Sequence, residues 1–194
     1  MKTPIASLML AVLLLAGSGA RSQTKILIAY FSETGNTKAL AEAVASGARE
    51  VEGAEVWLKT VDQVTGLHLI EADAIIVGSP VYNANVAPQV QQFITSWPFE
   101  NMPLKDKVGA AFVTAGGISA GEELTQMNIL QSMLIFNMIV LGGPDWTAPF
   151  GASAIVGEPP FLPEGGMADA FLEKGRKLGR RVAETTIRLN QGSR

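Results

Sequence analysis

The chain predicts an α/β domain in which one parallel sheet is covered by helices on both faces. Three observations carry this expectation. From Lys25 onward, strand-like apolar runs alternate with helix-like runs, the pattern of repeated βαβ connections. One run, Asp73-Ala74-Ile75-Ile76-Val77-Gly78-Ser79, is almost continuously apolar, as a strand buried on both faces must be. A third sign is Lys25–Thr37, KILIAYFSETGNT, where an apolar run passes through a hydroxyl-rich turn straight into a helical pattern.

The first strand is expected at Lys25–Phe31, because the run is β-branched and aromatic. The first helix follows at Thr37–Glu50. Glu52-Gly53 turns the chain into a second strand, Glu55–Thr60, and Asp62–Glu71 is ambiguous. After the central strand at Asp73–Ser79, a third helix is expected at Pro88–Ser96, with proline at its tolerated first position. Strand four is Lys107–Ala115. A glycine-rich turn leads to a helix at Glu122–Phe136, and a short fifth strand, Met138–Leu141, is closed by Gly142-Gly143-Pro144.

The closing helix, Met167–Leu189, offers Ala170, Leu172, Leu178, Val182 and Ile187 as an apolar face. Its basic face, Lys174, Arg176, Lys177, Arg180 and Arg181, reads as solvated surface. Ile129–Leu141 is apolar, but Gln131, Ser132 and Asn137 interrupt it, so a buried helix entering an inner strand is expected rather than a membrane span. Residues 143–166 carry five of the ten prolines and five of the twenty glycines and read as one long loop.

Residues 1–20 have the three-part plan of a secretory signal peptide: Met1-Lys2, an apolar core from Ile5 to Leu15, then Gly17-Ser18-Gly19-Ala20. Cleavage is expected after Ala20, with retention as an uncleaved anchor the alternative, leaving a domain at 21–194 in a periplasmic or secreted location. Removing Lys2 moves the formal net charge from −3 to −4, which argues against nucleic acid as a partner. The chain has no cysteine, so disulfides, thiolate catalysis and thiolate metal sites are excluded. Its one histidine, His68, follows Gly66-Leu67 in an expected surface turn, and no metal site is predicted.

Three loops carry the chemistry. In open parallel sheets, ligands bind beyond the carboxyl ends of the strands. After strand one, Ser32-Glu33-Thr34-Gly35-Asn36-Thr37 opens a helix, where free backbone N–H groups and the helix dipole favour a phosphate. Ser32, Thr34, Thr37 and Asn36 add neutral donors, and Gly35 permits a tight turn. The Walker pattern and the G-x-G-x-x-G fingerprint are both absent. After strand three come Pro80, Val81, Tyr82, Asn83, Ala84 and Asn85. Tyr82 offers a flat face for a ring, and the asparagines offer hydrogen bonds to heteroatoms. After strand four, Thr114-Ala115-Gly116-Gly117 would bring backbone N–H groups close to a ligand.

The first loop resembles the T-x-T-G-N-T phosphate loop of flavodoxins, with Ser32 in place of the first threonine. Gly78–Gln89, Thr114–Thr125 and Pro149–Ser153 resemble segments of the WrbA-type NAD(P)H:quinone oxidoreductases of the flavodoxin-like superfamily. The resemblance implies a flavodoxin-like three-layer α/β/α fold with a five-stranded parallel sheet in the order 2-1-3-4-5. It further implies bound FMN held by the three loops, a nicotinamide as electron donor, a quinone as acceptor, and a homo-oligomer (dimer or tetramer). It places a tryptophan by the flavin near Trp97. An ordinary core or surface tryptophan fits that position equally. The chain departs from that family at Tyr82-Asn83, where Arg-Phe is usual. A family histidine is missing near Leu134–Asn137, and only Val61–Glu71 stands where a long insertion follows strand two.

Two functional accounts follow. One is an FMN-dependent enzyme reducing quinones or similar acceptors, with no protein residue doing the redox chemistry. The other is an exported flavodoxin-type electron carrier serving a redox protein partner, which the signal peptide favours because nicotinamide is scarce outside the cytoplasm. A fold that has lost its flavin and acts as an interaction domain is a third account, opposed by the intact phosphate loop.

Overall fold

A computed structural model describes residues 23–161 and 166–192. The predicted signal peptide, residues 1–20, lies outside these described residues. The sheet has β1 (Thr24–Tyr30), β2 (Ala54–Thr60), β3 (Ala74–Tyr82), β4 (Asn85–Val86), β5 (Val108–Ala115), β6 (Ile139–Val140) and β7 (Ala152–Ile155). Its helices are α1 (Asn36–Arg49), α2 (Gly66–Glu71), α3 (Pro88–Thr95), α4 (Glu122–Ile135) and α5 (Asp169–Gly192). The parallel order β2-β1-β3-β5-β6 is the predicted 2-1-3-4-5 once the parallel strands are numbered in chain order without the antiparallel β4.

Alternate residues of the inner strands feed two cores, which is why these segments carry apolar residues on both faces. Leu27 and Ala29, Ile75 and Val77, and Ala111 and Val113 face α3 and α4, packing with Val90, Phe93, Ile129 and Met133. Ile26 and Ile28, Ala74 and Ile76, and Ala110 and Phe112 face α1 and α5, packing with Leu40, Val44, Leu178 and Val182. Helices α1 and α5 approach closely: a Cβ on Gly47 would lie 1.8 Å from the Arg176 carbonyl oxygen, and one on Gly179 would lie 1.9 Å from that of Val44.

Several expectations are corrected. The fifth strand is split. Ile139–Val140 pairs with the start of β5, the chain then leaves the sheet, and Ala152–Ile155 returns to pair with Phe112–Ala115. Residues 143–166 are therefore not one loop. The return is held by Gln126, 2 % exposed, whose side-chain amide donates to the Ala152 carbonyl at 3.0 Å. The strand-three loop is also shorter than expected, because β3 runs to Tyr82 and forms a hairpin with β4.

His68 lies in α2, not in a turn. Its Nδ1 accepts the Thr65 N–H at 3.0 Å while the Thr65 hydroxyl caps His68 in return, an imidazole version of the capping box. Trp97 is a core residue, 4 % exposed between Phe93 and Phe136. It sits by the C-terminal ends of α3 and α4, at the sheet edge opposite the three loops. On α5 the buried face is Leu178, Val182, Ala183 and Thr186, while Ala170 is exposed. Its basic residues are partly neutralised: Arg176 pairs with Glu173 at 2.8 Å and Arg180 with Glu50 at 3.2 Å. Leu134 and Ile135 on α4 are exposed rather than buried.

Candidate functional site

The three predicted loops meet at the carboxyl edge of the sheet. Parallel pairing sets their positions, since Tyr30 is level with Gly78 and Pro80 with Thr114. Loop one then bends at Gly35, whose φ of 91° puts it in the left-handed region that glycine tolerates at no steric cost. Its N–H donates to Ser32 Oγ at 3.2 Å, and the Asn36 side-chain amide donates to Thr34 Oγ1 at 3.2 Å. Glu33 and Thr34 are exposed; Ser32 and Asn36 are half-buried.

Thr37 behaves differently from the other hydroxyls of its loop. It is 2 % exposed, and its Oγ1 lies 2.7 Å from Thr114 Oγ1, itself on a residue only 4 % exposed. This contact ties the first turn of α1 to the end of β5. A second tie crosses the surface: the Tyr82 hydroxyl donates to Glu33 Oε2 at 2.5 Å. That hydrogen bond, helped by partial burial and by the glutamate's charge, pushes the Tyr82 phenol above its ordinary pKa.

The hairpin β3–β4 turns on Asn83 and Ala84, both at positive φ (52° and 60°), the geometry of a two-residue turn matched to strand twist. Asn85 spends its side-chain amide within this turn, donating to the Asn83 carbonyl at 2.8 Å. Ala84 packs on Gly121, where a Cβ would come within 2.4 Å of it. Val81 pairs with Val86 in the hairpin. Ala115 is buried in the sheet and offers only its backbone, while a Cβ placed on Gly116 would meet nothing within 4 Å. The sixteen predicted positions thus fall on one edge, although Thr37, Val81, Ala115 and Asn85 serve packing or local hydrogen bonding.

One participant was missed. Glu158, in the loop after β7, places its carboxylate against the β5 loop and accepts the Ile118 N–H at 2.6 Å. Nothing in the local sequence marks this glutamate, because its partner is a backbone amide forty residues away.

The helix starts differ in a way that bears on anions. Neither α1 nor α4 has a side-chain cap, but α4 begins with Glu122 and Glu123 whereas the first turn of α1 has no acidic residue. The N-terminus of α1 therefore keeps its positive dipole end and its donors for an external anion. The open Gly35 turn, with no atom within 4 Å of a Cβ placed there, leaves room beside it. A phosphate monoester fits this end of the site. Among the described residues, no group of acidic and histidine side chains could hold a metal ion. A cavity of about 360 Å³ lies behind Phe31, lined by Val61, Val64 and Phe93 with Gln89 and Gln92; none of the sixteen positions borders it.

The fold and the three-loop edge define a flavodoxin-like α/β domain. The chain matches the family model described as NADPH-dependent FMN reductase over residues 11–153, and it belongs to that family. It is 36% identical over 170 residues to a flavodoxin of Aquifex aeolicus, covering 82% of this chain and 85% of that one. It is 30% identical over 203 residues to an NAD(P)H dehydrogenase (quinone) of Geotalea uraniireducens, covering 85% and 98%. The crystal structure of a flavodoxin, WrbA-like protein from Agrobacterium tumefaciens superposes with a TM-score of 0.70 at 24% identity, over 86% of this chain and 99% of that one. Family membership makes the chain an FMN-dependent oxidoreductase of the flavodoxin-like superfamily.

Proposed function

We propose that the protein binds FMN at the three-loop edge and transfers two electrons from NADH or NADPH to a quinone or similar small acceptor. The observation that carries this reading is the α1 start, free of side-chain caps and acidic residues, joined to the β5 loop by Thr37 and Thr114. Ser32, Thr34, Asn36 and the first backbone N–H groups of α1 would hold the phosphate, and Tyr82 would pack on the ring. Backbone N–H groups near Gly116 and Gly117 would face its polar edge. Bound FMN would supply the redox chemistry, so no acid–base side chain is required. The quinone acceptor and the nicotinamide donor are supported by relatives that carry the name NAD(P)H dehydrogenase (quinone). We further propose that residues 1–20 direct export to the periplasm or beyond, and that the folded chain self-associates.

A second reading, a flavodoxin-type electron carrier for a redox protein partner, is supported by the Aquifex aeolicus likeness. One experiment orders the two. The chain lacking residues 1–20, incubated with FMN and desalted, is expected to show flavin absorbance at one FMN per chain. A colourless product would sink both readings. Stopped-flow reduction by NADH and NADPH then separates them: fast reduction followed by quinone turnover supports the enzyme, and no reduction by either nucleotide supports the carrier.

A further inference from the structure

Glu158 occupies a place that the function would need. It is carried on a braced turn: Val156 N–H donates to the Ala115 carbonyl at 2.9 Å, and Phe161 N–H donates to the Glu158 carbonyl at 2.8 Å. The backbone is packed too closely here for other side chains. A Cβ on Gly157 would lie 2.6 Å from the Gly116 carbonyl oxygen, and one on Gly117 would lie 2.9 Å from Glu158 Oε2. Two glycines thus let the β7 loop seat a carboxylate on the β5 loop, where it accepts the Ile118 N–H at 2.6 Å. Glu158 is half-buried, and among the described residues it has no ion-pair partner.

We propose that Glu158 is an internal stand-in for the cofactor: its carboxylate holds the Ile118 N–H, next along the β5 loop from the Gly116 and Gly117 amides proposed to face the ring, until an acceptor atom on the flavin ring displaces it. This rests on the reading of the three-loop edge as the FMN site. A carboxylate accepting an N–H makes a stronger hydrogen bond than a neutral acceptor. Entry of the ring therefore costs the release of that bond, so Glu158 weakens flavin binding. A brace acting only to hold the loops would do the reverse, since its removal would loosen the site and weaken binding.

The sign of the effect decides the matter. Flavin-stripped wild type, Glu158→Gln and Glu158→Ala are titrated with FMN and with riboflavin, following flavin fluorescence, and each variant's thermal unfolding is recorded. The expected result is tighter binding of both ligands, about tenfold for Glu158→Ala and less for Glu158→Gln, whose amide oxygen still accepts the N–H. Unchanged or weaker binding of both ligands by the isosteric Glu158→Gln and by Glu158→Ala overturns the proposal. So does tightening confined to FMN, which would mean only that a distant charge repels the phosphate. If no variant takes up FMN or riboflavin, the FMN reading itself fails and this proposal fails with it.

Discussion

The side-chain oxygens of Thr37 and Thr114 lie 2.7 Å apart in a buried contact between residues separated by 77 positions. Each hydroxyl is the other's hydrogen-bond partner, and the pair fixes the start of α1 against the end of β5. Thr114→Val keeps the shape but strands the Thr37 hydroxyl, which costs about 1–3 kcal/mol when such a group is left buried without a partner. The double variant Thr37→Val/Thr114→Val removes both polar groups and is expected to be no less stable than Thr114→Val alone. Urea denaturation of wild type, Thr37→Val, Thr114→Val and the double variant measures this. Additive losses would show that the two hydroxyls do not depend on each other.

The Tyr82–Glu33 hydrogen bond can be read by titration, because the chain has only two tyrosines. Both phenols are raised above their ordinary pKa, Tyr82 by its hydrogen bond to Glu33 and Tyr30 by burial and then by the charge of Glu42. A phenol raised in the folded state contributes stability that is present below the unfolded pKa, near 10, and lost as pH rises through the folded pKa. Absorbance at the tyrosinate band is therefore expected to lag behind that of the denatured chain as pH passes 10. Glu33→Ala, which removes the acceptor as well as the charge, should bring one tyrosine, and only one, back toward the ordinary value. Two tyrosines unmoved by that substitution would show that the clasp does not form in solution.

What was legible in the sequence was whatever local chemistry dictates. Ala74-Ile75-Ile76-Val77 read as a strand buried on both faces and Lys25–Phe31 as a β-branched strand, both as found, and the Gly35 turn into α1 could be read from its residues. The remainder depends on distant partners. Ala152–Ile155 lies among prolines and glycines with one β-branched residue, and it is a strand only because β5 pairs with it. The hairpin turn is Asn83-Ala84 rather than the usual Asn-Gly, which hid it. His68 caps a helix with a ring nitrogen where a glutamate or glutamine would have signalled the motif. Trp97 could be read as a flavin neighbour by analogy or equally as an ordinary core or surface tryptophan, because its neighbours Phe93 and Phe136 come together only in the fold.

The phosphate loop makes a selective prediction. Asn36 donates to Thr34 at the exposed mouth of the loop, so neither side chain supports the core. Thr34→Ala/Asn36→Ala is expected to leave urea stability nearly unchanged. It should weaken FMN on the order of a hundredfold, as loss of two hydrogen bonds to a charged group predicts. Riboflavin, which has no phosphate, should lose far less. Equal losses for the two ligands would remove the phosphate from this loop.

The crossing of α1 over α5 sets a limit on substitution that propensity alone would misjudge. In an exposed helix interior, alanine is favoured over glycine by roughly 0.5–1 kcal/mol. At Gly179 the added Cβ would stand 1.9 Å from the Val44 carbonyl oxygen, and the matching position on α1, Gly47, faces the Arg176 carbonyl at 1.8 Å. Neither obstacle is the end of a flexible side chain, so the helices must separate, with an overpacking cost of about 1–3 kcal/mol. Gly179→Ala is expected to lower stability by that amount despite the propensity gain. Gly192→Ala, at the open end of the same helix with nothing within 4 Å, should be neutral or slightly stabilising. Urea midpoints for the two variants check this directly. A Gly179→Ala chain as stable as wild type would mean that α1 and α5 sit farther apart than the 1.9 Å approach requires.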